Sequence, residues 1–349
     1  MLRRTAQLGA SDLHLKAGSP PALRIDGTLI LQQDLPHLKP EEIELMLKEL
    51  TTEEQWLAFE ENLELDFSHS LPGVARFRVN AGRQRESITL VARRLSLTIP
   101  TMDELGLPAV CKELVSKPRG LILVTGPTGS GKSTTLAAMI DYINERDARR
   151  VITIEDPIEY VFEDKRCVIT QRELGVDTHS FASALKHALR QDPDVILVGE
   201  MRDLETIATA LTAAETGHLV LSTVHTASAA LTVDRIIDVF PPHQQQQIRT
   251  QLASIVEGVL CQTLLPLASG EGRTLAMEIM IATSAIRNLI REAKTHQLTG
   301  VIETGARVGM ITLDQALVKI FKEGKITLDE ALAKAGNPGQ LRQLIEAMP

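Results

Sequence analysis

The spacing of hydrophobic residues changes near residue 119 and divides the chain into two parts. In the first part, apolar and polar residues alternate with the two-residue period of half-buried strands over 23–31, 66–80 and 87–94. The first of these stretches contains the pair Asp26-Gly27, which predicts a hairpin turn. Residues 40–50 begin with a proline and carry apolar residues at helical spacing. This part therefore predicts a small α+β domain.

In the second part, the apolar residues form continuous runs. Four runs suit strands that are buried on both faces, as in a parallel sheet: 121–124, 151–154, 195–198 and 219–221. Helical spacing lies between them, and Asp203 stands where the N-cap of one helix is expected. Beyond Arg273 the pattern is largely helical, with capping-box spacing at Thr312 and Thr327.

These patterns predict an α/β protein with four segments. They are an α+β domain at 1–98, a linker at 99–118 that three prolines interrupt, a β/α core at 119–272 and a helical part at 273–349. A chain of 349 residues is long enough for two hydrophobic cores.

Composition and charge narrow the class of protein. The net charge of −8 and the aromatic content of 3% argue against a protein that grips nucleic acid, although a RecA-like motor could thread it with loop residues. No apolar run approaches the roughly 20 residues of a transmembrane segment, so we expect a cytoplasmic protein. Cys111, Cys167 and Cys261 are far apart in sequence, which favours buried reduced thiols.

A glycine-rich segment, Gly126-Pro127-Thr128-Gly129-Ser130-Gly131-Lys132-Ser133-Thr134, follows the first apolar run. Its spacing G-x-x-x-x-G-K-S is that of a phosphate-binding loop, in which glycines let backbone N–H groups converge on phosphate oxygens. The helix that follows directs its N-terminal amides and positive dipole end at the anion. We expect Lys132 to reach the β- and γ-phosphates of ATP and the Ser133 hydroxyl to ligate Mg²⁺.

Acidic and histidine residues follow the later strands. Glu155, Asp156 and Glu159 come after the second run, and Glu200 follows the third; these are positions where ligands gather in open α/β sheets. We interpret Glu200 as the residue that polarises the attacking water, and the other three as completing the shell of Mg²⁺ and water. His218 and His225 flank the fourth run and are candidate sensors of the γ-phosphate; each could equally be structural.

An arginine-rich stretch lies at 76–94, in which Glu86 is the one acidic residue. Its arginines are Arg76, Arg78, Arg83, Arg85, Arg93 and Arg94. They could form a solvated strand face, or some could supply positive charge to phosphates on a neighbouring subunit, as arginine fingers do.

Taken together, the motifs resemble those of the secretion and pilus traffic ATPases. TGPTGSGKST at 125–134, TIEDPIE at 153–159, ALRQDPDVILVGEMRD at 188–203 and TGHLVLSTVHT at 216–226 are similar to the Walker A, Asp box, Walker B and His box motifs of that family. SDLHLKAG at 11–18, ARFRVN at 75–80 and AIRNLIRE at 285–292 resemble its PilT-type retraction branch. Gly199 stands where many P-loop enzymes place a magnesium-binding aspartate, a departure that the family shares.

The resemblance implies a PAS-like N-terminal domain followed by a RecA-like P-loop ATPase domain with a helical C-terminal part. It further implies a homo-hexameric ring that binds ATP and Mg²⁺, in which Arg85 and Arg93 face the nucleotide and hydrolysis drives type IV pilus retraction. The expected partners are a platform protein of the inner membrane and related pilus ATPases, at the inner face of the cytoplasmic membrane. AIRNLIRE would be associated with retraction, or would simply form an amphipathic helix, since Ile286, Leu289 and Ile290 share a face.

Three alternatives stay open at this point. A pilus extension or type II secretion ATPase shares the motifs, but commonly carries a four-cysteine zinc element and extra N-terminal domains that this sequence lacks. A RecA-like nucleic-acid motor shares the P-loop. A regulator that binds ATP and barely hydrolyses it is the third.

Overall fold

The computed structural model describes residues 1–25, 27–95 and 98–347, without the side chain of Ala347. It forms two compact units, Met1–Thr98 and Ile99–Pro349. None of the helices in the described residues is long and apolar enough to cross a bilayer.

The first unit is a six-stranded antiparallel sheet with strand order β3-β2-β1-β6-β5-β4. Its elements are α1 (Leu2–Gln7), β1 (Asp12–Lys16), β2 (Ala22–Ile25), β3 (Thr28–Leu31), α2 (Pro40–Leu50), α3 (Glu53–Asn62), β4 (Glu64–Leu71), β5 (Ala75–Gln84) and β6 (Ser87–Leu95). The apolar residues on alternate positions share one buried face, as Leu13, Phe77 and Leu90 do. The predicted α+β domain and its helix at 40–50 are confirmed.

Two details of this unit differ from the expectation or fall outside it. The predicted strand 66–80 is two strands, because Pro72 and Gly73 form a turn that the Val74 amide closes on the Leu71 carbonyl at 3.0 Å. The hairpin of β2 and β3 forms, but its turn residue Asp26 lies outside the described residues.

The second unit is built on a seven-stranded sheet flanked by helices. Up to the end of its sheet, its elements are α4 (Ala109–Val115), β7 (Gly120–Thr125), α5 (Lys132–Arg146), β8 (Arg150–Glu155), β9 (Val168–Glu173), α6 (Phe181–Ala188), β10 (Val195–Val198), α7 (Leu204–Glu215), β11 (Leu219–Val224), α8 (Ala229–Asp238), α9 (Pro242–Ile255), β12 (Val256–Pro266) and β13 (Arg273–Ile281). Then follow α10 (Ser284–Arg291), α11 (Leu298–Thr304), α12 (Leu313–Lys322), α13 (Leu328–Lys334) and α14 (Pro338–Ala347).

The strand order is β13-β12-β7-β11-β10-β8-β9, and all neighbours are parallel except β12 and β13. The predicted runs are central strands with both faces covered: Leu121 and Leu123 point into one apolar cluster, Ile122 and Val124 into another. Double coverage explains why the runs do not alternate with polar residues. The predicted N-cap is confirmed, since Asp203 Oδ1 accepts the Thr206 amide of α7 at 2.9 Å.

The segment boundaries need two corrections. Residues 99–118 are not a free linker, because they contain α4, whose Cys111 and Val115 are buried in the core of the second unit. The helical part does not begin at Arg273 either. Residues 273–281 form β13, which pairs with β12 along its whole length and shields the edge of the parallel sheet.

Candidate nucleotide-binding site

The carboxyl ends of four neighbouring parallel strands meet at one edge of the second sheet. The glycine-rich loop follows β7, the acidic segment follows β8, Glu200 follows β10 and His225 directly follows β11. Crevices at the carboxyl ends of parallel strands are where open α/β sheets bind ligands. Here the four loops line a cleft of about 1040 Å³.

Three glycines let the loop after β7 curl. Gly126 has φ +137°, and a Cβ there would collide with the Gln262 carbonyl oxygen of β12 and lie 2.7 Å from Ser130 Oγ. Gly129 and Gly131 have φ of +78° and +88°, values that side chains disfavour. The curl brings the chain directly into α5, so the helix begins at the loop.

The Lys132 side chain folds back into this curl and is only 8% exposed. Its Nζ donates to the carbonyl oxygens of Gly126 at 2.9 Å and of Pro127 at 3.0 Å. Burial lowers the pKa of Lys132, while Glu200 and Glu159 act in the opposite direction. An ammonium group held among neutral carbonyls gains strongly from an anion beside it.

The remaining loop residues line the cleft or support it. Thr128, Ser133 and Thr134 line it, and Thr134 Oγ1 lies 3.0 Å from the Tyr160 hydroxyl of the acidic segment. Ser130 Oγ is buried without a hydrogen-bond partner in the described residues. The Ser133 hydroxyl is thus on the cleft wall at the first turn of α5.

Glu200 lies just beyond the end of β10 and contacts two basic side chains. Its Oε1 accepts from Arg202 Nε at 2.6 Å and lies 3.3 Å from His225 Nε2. Burial opposes ionisation of Glu200, but Arg202 and His225 outweigh it and lower its pKa. The group is therefore an anion at neutral pH whose orientation two neighbours fix.

The glycine before Glu200 has a steric cause. A Cβ on Gly199 would lie 3.1 Å from the Ile154 carbonyl oxygen and 3.3 Å from Glu155 Cα, both at the end of β8. A side chain at this position would therefore push β8 and β10 apart by a few tenths of an ångström. The glycine keeps the two strand ends close and offers no carboxylate of its own.

The acidic segment after β8 can supply carboxylates instead. Glu155 Oε1 accepts from Thr153 Oγ1 at 2.6 Å and from Gln171 Nε2 at 3.1 Å. Burial raises the pKa of Glu155, against those hydrogen bonds and together with repulsion from Glu159. Asp156 and Glu159 are exposed on the cleft wall.

Comparison with known proteins identifies the family. The family profile described as "Type II/IV secretion system protein" matches residues 84–333, which is most of the chain and includes all four motifs. The chain belongs to this family. The resemblance of its motifs to the secretion and pilus traffic ATPases is confirmed.

Members of the type II/IV secretion family match nearly the full chain. The type IV pilus retraction ATPase PilT of Pseudomonas aeruginosa is 52% identical over 93% of this chain and 94% of its own. The twitching motility protein of Neisseria gonorrhoeae is 50% identical over 87% of this chain and 81% of its own. A crystal structure of the pilus retraction motor PilT with bound ADP superposes with a TM-score of 0.93 at 50% identity, covering 98% of both chains. The predicted two-part fold is therefore confirmed.

The structure separates the two histidines that the sequence offered as candidate sensors of the γ-phosphate. His225 lines the cleft, but His218 precedes β11, at the opposite edge of the sheet. The two ends of that six-residue strand are about 20 Å apart, so both histidines cannot face one phosphate. His218 Nδ1 lies 2.8 Å from the Ala213 carbonyl oxygen, which is a structural contact at the end of α7.

Arg85 and Arg93 belong to the first unit and are exposed there. Arg85 lies in the turn between β5 and β6 with φ +45°, and Arg93 Nε donates to Asp12 Oδ1 at 2.8 Å. The ion pair uses the Nε side of Arg93 and leaves 69% of its side chain exposed. Their role toward a nucleotide stays a prediction.

The AIRNLIRE stretch forms α10, and its amphipathic character is confirmed. Ile286 and Ile290 are fully buried, and Leu289 is half-buried. Arg287 donates to the carbonyl oxygens of Ala282, Ala253 and Ser254 and pairs with Glu257 Oε1 at 2.9 Å. Its link to retraction stays a prediction.

Sequence reasoning missed the residues that hold the loops. Gln171 on β9 donates to Glu155 and to the Tyr160 carbonyl oxygen at 2.8 Å, and accepts the Phe162 amide at 2.9 Å. Gln262, 2% exposed, donates to Thr135 Oγ1 of α5 at 2.8 Å. The available signal was a glutamine inside an otherwise apolar or strand-forming run.

Proposed function

We propose that this chain is an ATPase motor that drives retraction of type IV pili. The observation that carries the proposal is the convergence of Lys132, Glu200 and His225 on one cleft, in a chain that matches a named retraction ATPase over 93% of its length. Type II secretion proteins E match less of the chain: that of Pseudomonas aeruginosa is 49% identical over 44% of this chain and 28% of its own. The whole-chain match favours retraction over the secretion alternative.

The phosphates of ATP would occupy the curled loop. Its amides and the start of α5 would face the phosphate oxygens, and Lys132 would exchange its two carbonyl contacts for phosphate. The adjoining hydroxyl and carboxylates suit Mg²⁺, which prefers oxygen ligands and is commonly held by one or two carboxylates together with substrate phosphates. The residues that would hold Mg²⁺ are Ser133, Glu155, Asp156 and Glu159.

Glu200 would orient the attacking water. Because Arg202 and His225 lower its pKa, it is a weak base, so it acts by aligning the water and by electrostatics more than by storing a proton. His225, beside Glu200 on the cleft wall, would respond to the γ-phosphate. Glu159 is the second carboxylate that could take the water-aligning role.

The site would be completed by a second subunit. P-loop enzymes gain up to about 10³–10⁵ in turnover from an arginine supplied to the transferring phosphate. Repeated head-to-tail contacts between subunits close into a ring, here a homo-hexamer, so each site would have a neighbouring subunit beside it. Arg85 and Arg93 of that neighbour would supply the arginine in trans. The ring would act on a platform protein of the inner membrane, alongside related pilus ATPases, at the inner face of the cytoplasmic membrane.

Deleting the gene and observing the cell surface tests the proposal. The deletion strain should carry abundant pili and lose twitching motility. The wild-type gene should restore motility, and a Lys132→Ala copy made in equal amount should not. Bald cells would contradict retraction and point to extension.

A further inference from the structure

Glu278 is a buried carboxylate that the proposed chemistry does not use. It lies on β13 and is 6% exposed. Its strand partner is Cys261 of β12, which in turn pairs with Thr125 of β7, the residue before the phosphate loop. Thr125 pairs with Val224 of β11, the residue before His225. Across the sheet, Glu278 is therefore aligned with the last residues of β7 and β11, and two loops of the site follow those strands.

Glu278 lies near the starts of two helices. Its Oε1 accepts the Ala229 amide of α8 at 2.7 Å, and so satisfies an amide that a helix N-terminus leaves unpaired. The next residue of β13, Ile279, exchanges two backbone hydrogen bonds with Ile311, just before α12, at 2.8 and 3.2 Å. Burial raises the pKa of Glu278, and the Ala229 and Leu313 amides oppose that rise.

The start of α8 is also the end of the loop that carries His225. Only residues 226–228 separate His225 from Ala229. At the other end of the loop, Thr223 Oγ1 donates to the Gly199 carbonyl oxygen at 2.7 Å, which fixes β11 against the strand of Glu200. Hydrogen bonds thus hold both ends of this loop, and between them His225 Nε2 lies 3.3 Å from Glu200 Oε1.

We propose that Glu278 is a positioning residue for ATP turnover, which sets the His225 loop through α8 and couples it to α12. This inference rests on the proposed ATPase function. A shift of α12 moves β13 through the hydrogen bonds between Ile279 and Ile311, and the change reaches His225 through Glu278, Ala229 and residues 226–228. The buried Glu278 thereby connects α12 with the edge of the sheet that carries His225.

The test compares Glu278→Ala and Glu278→Gln with a matched cap variant, Thr327→Ala. Thr327 caps α13 by accepting the Glu330 amide at 3.2 Å, so its loss weakens a helix start that does not contact the His225 loop. We expect Glu278→Ala to lower kcat about 10- to 100-fold with nearly unchanged ATP affinity, because misplacing a catalytic group costs rate more than binding. Glu278→Gln keeps one oxygen acceptor and should lose less, and Thr327→Ala should retain kcat.

A double-mutant cycle with His225→Ala separates positioning from general weakening. If Glu278 acts through His225, adding Glu278→Ala to His225→Ala should lower kcat little further. Additive losses would overturn the proposal, as would a normal kcat in folded Glu278→Ala. If Glu278→Ala does not fold, the cycle is run with Glu278→Gln, and a loss of kcat that adds to that of His225→Ala would overturn the proposal in the same way. A wild-type protein without ATP turnover would instead refute the proposed function.

Discussion

Both edges of the second sheet carry histidine and charged side chains, but the surroundings of these side chains differ between the edges. At the amino edge, His218 contacts a carbonyl oxygen and Arg287 donates to three carbonyl oxygens and Glu257. At the carboxyl edge, burial lowers the pKa of Lys132 and raises that of Glu155. Perturbed ionisable groups in a cleft are typical of functional sites. The amino edge is therefore built for stability and the carboxyl edge for a ligand.

The largest expected effect at the carboxyl edge is that of Lys132→Ala. Removing the ammonium leaves the phosphate loop at 126–134 without its one cationic side chain, so ATP affinity should fall at least about 100-fold. Equilibrium binding of a fluorescent ATP analogue measures this. Lys117→Ala, a lysine at the amino edge that pairs with Glu257 at 3.6 Å, is the control and should bind normally. Equal affinity in both variants would remove the distinction between the edges.

The two histidines test the comparison on matched residues. His225→Ala should lower kcat about 10-fold or more, since it removes a partner of Glu200, whereas His218→Ala should leave kcat near the wild-type value. Steady-state turnover at saturating ATP decides between them. Equal losses would mean that His218 reaches a catalytic site after all, as it could on another subunit.

Glu155→Gln should separate stability from activity. The folded-state pKa of Glu155 is raised, so its ionisation destabilises the fold as pH rises above the ordinary glutamate range. The substitution should therefore raise Tm at pH 8, with a gain that shrinks toward about pH 4. Turnover should fall about 10-fold or more if a Mg²⁺ ligand is lost. Exposed Glu159→Gln is the control for Tm, and a lower Tm in Glu155→Gln would contradict the reasoning.

Arg287→Ala should have the smallest effect on turnover and a clear effect on stability. Losing its four hydrogen-bonded partners should cost about 2–3 kcal/mol of unfolding free energy. Urea unfolding measures this loss, and ATP turnover of the folded protein should stay close to wild type. Arg291→Ala, on the exposed side of the same helix, should change stability by less than about 0.5 kcal/mol. A large loss of turnover in Arg287→Ala would place α10 in the catalytic machinery.

The sequence predicted the parts of the fold that local spacing determines. Continuous apolar runs predict buried strands such as β7 and β10, and Asp203 predicts the start of α7. β13 was missed because its one charged interior residue, Glu278, breaks the apolar pattern, and only the structure shows the helix start that satisfies it. The sequence left the roles of His218 and His225 open, because a motif does not state which end of a strand reaches the ligand.

The most direct test of the central claim is ATP turnover and ATP binding measured on wild type and Glu200→Gln in parallel. The wild type should hydrolyse ATP, with little pH dependence between about pH 6 and pH 8 from a carboxyl group whose pKa is already lowered. Glu200→Gln should bind ATP within a few-fold of wild type and turn it over at least about 100-fold more slowly. Comparable turnover in the two proteins would contradict the assignment of Glu200 and, with it, the account of this edge as the catalytic one.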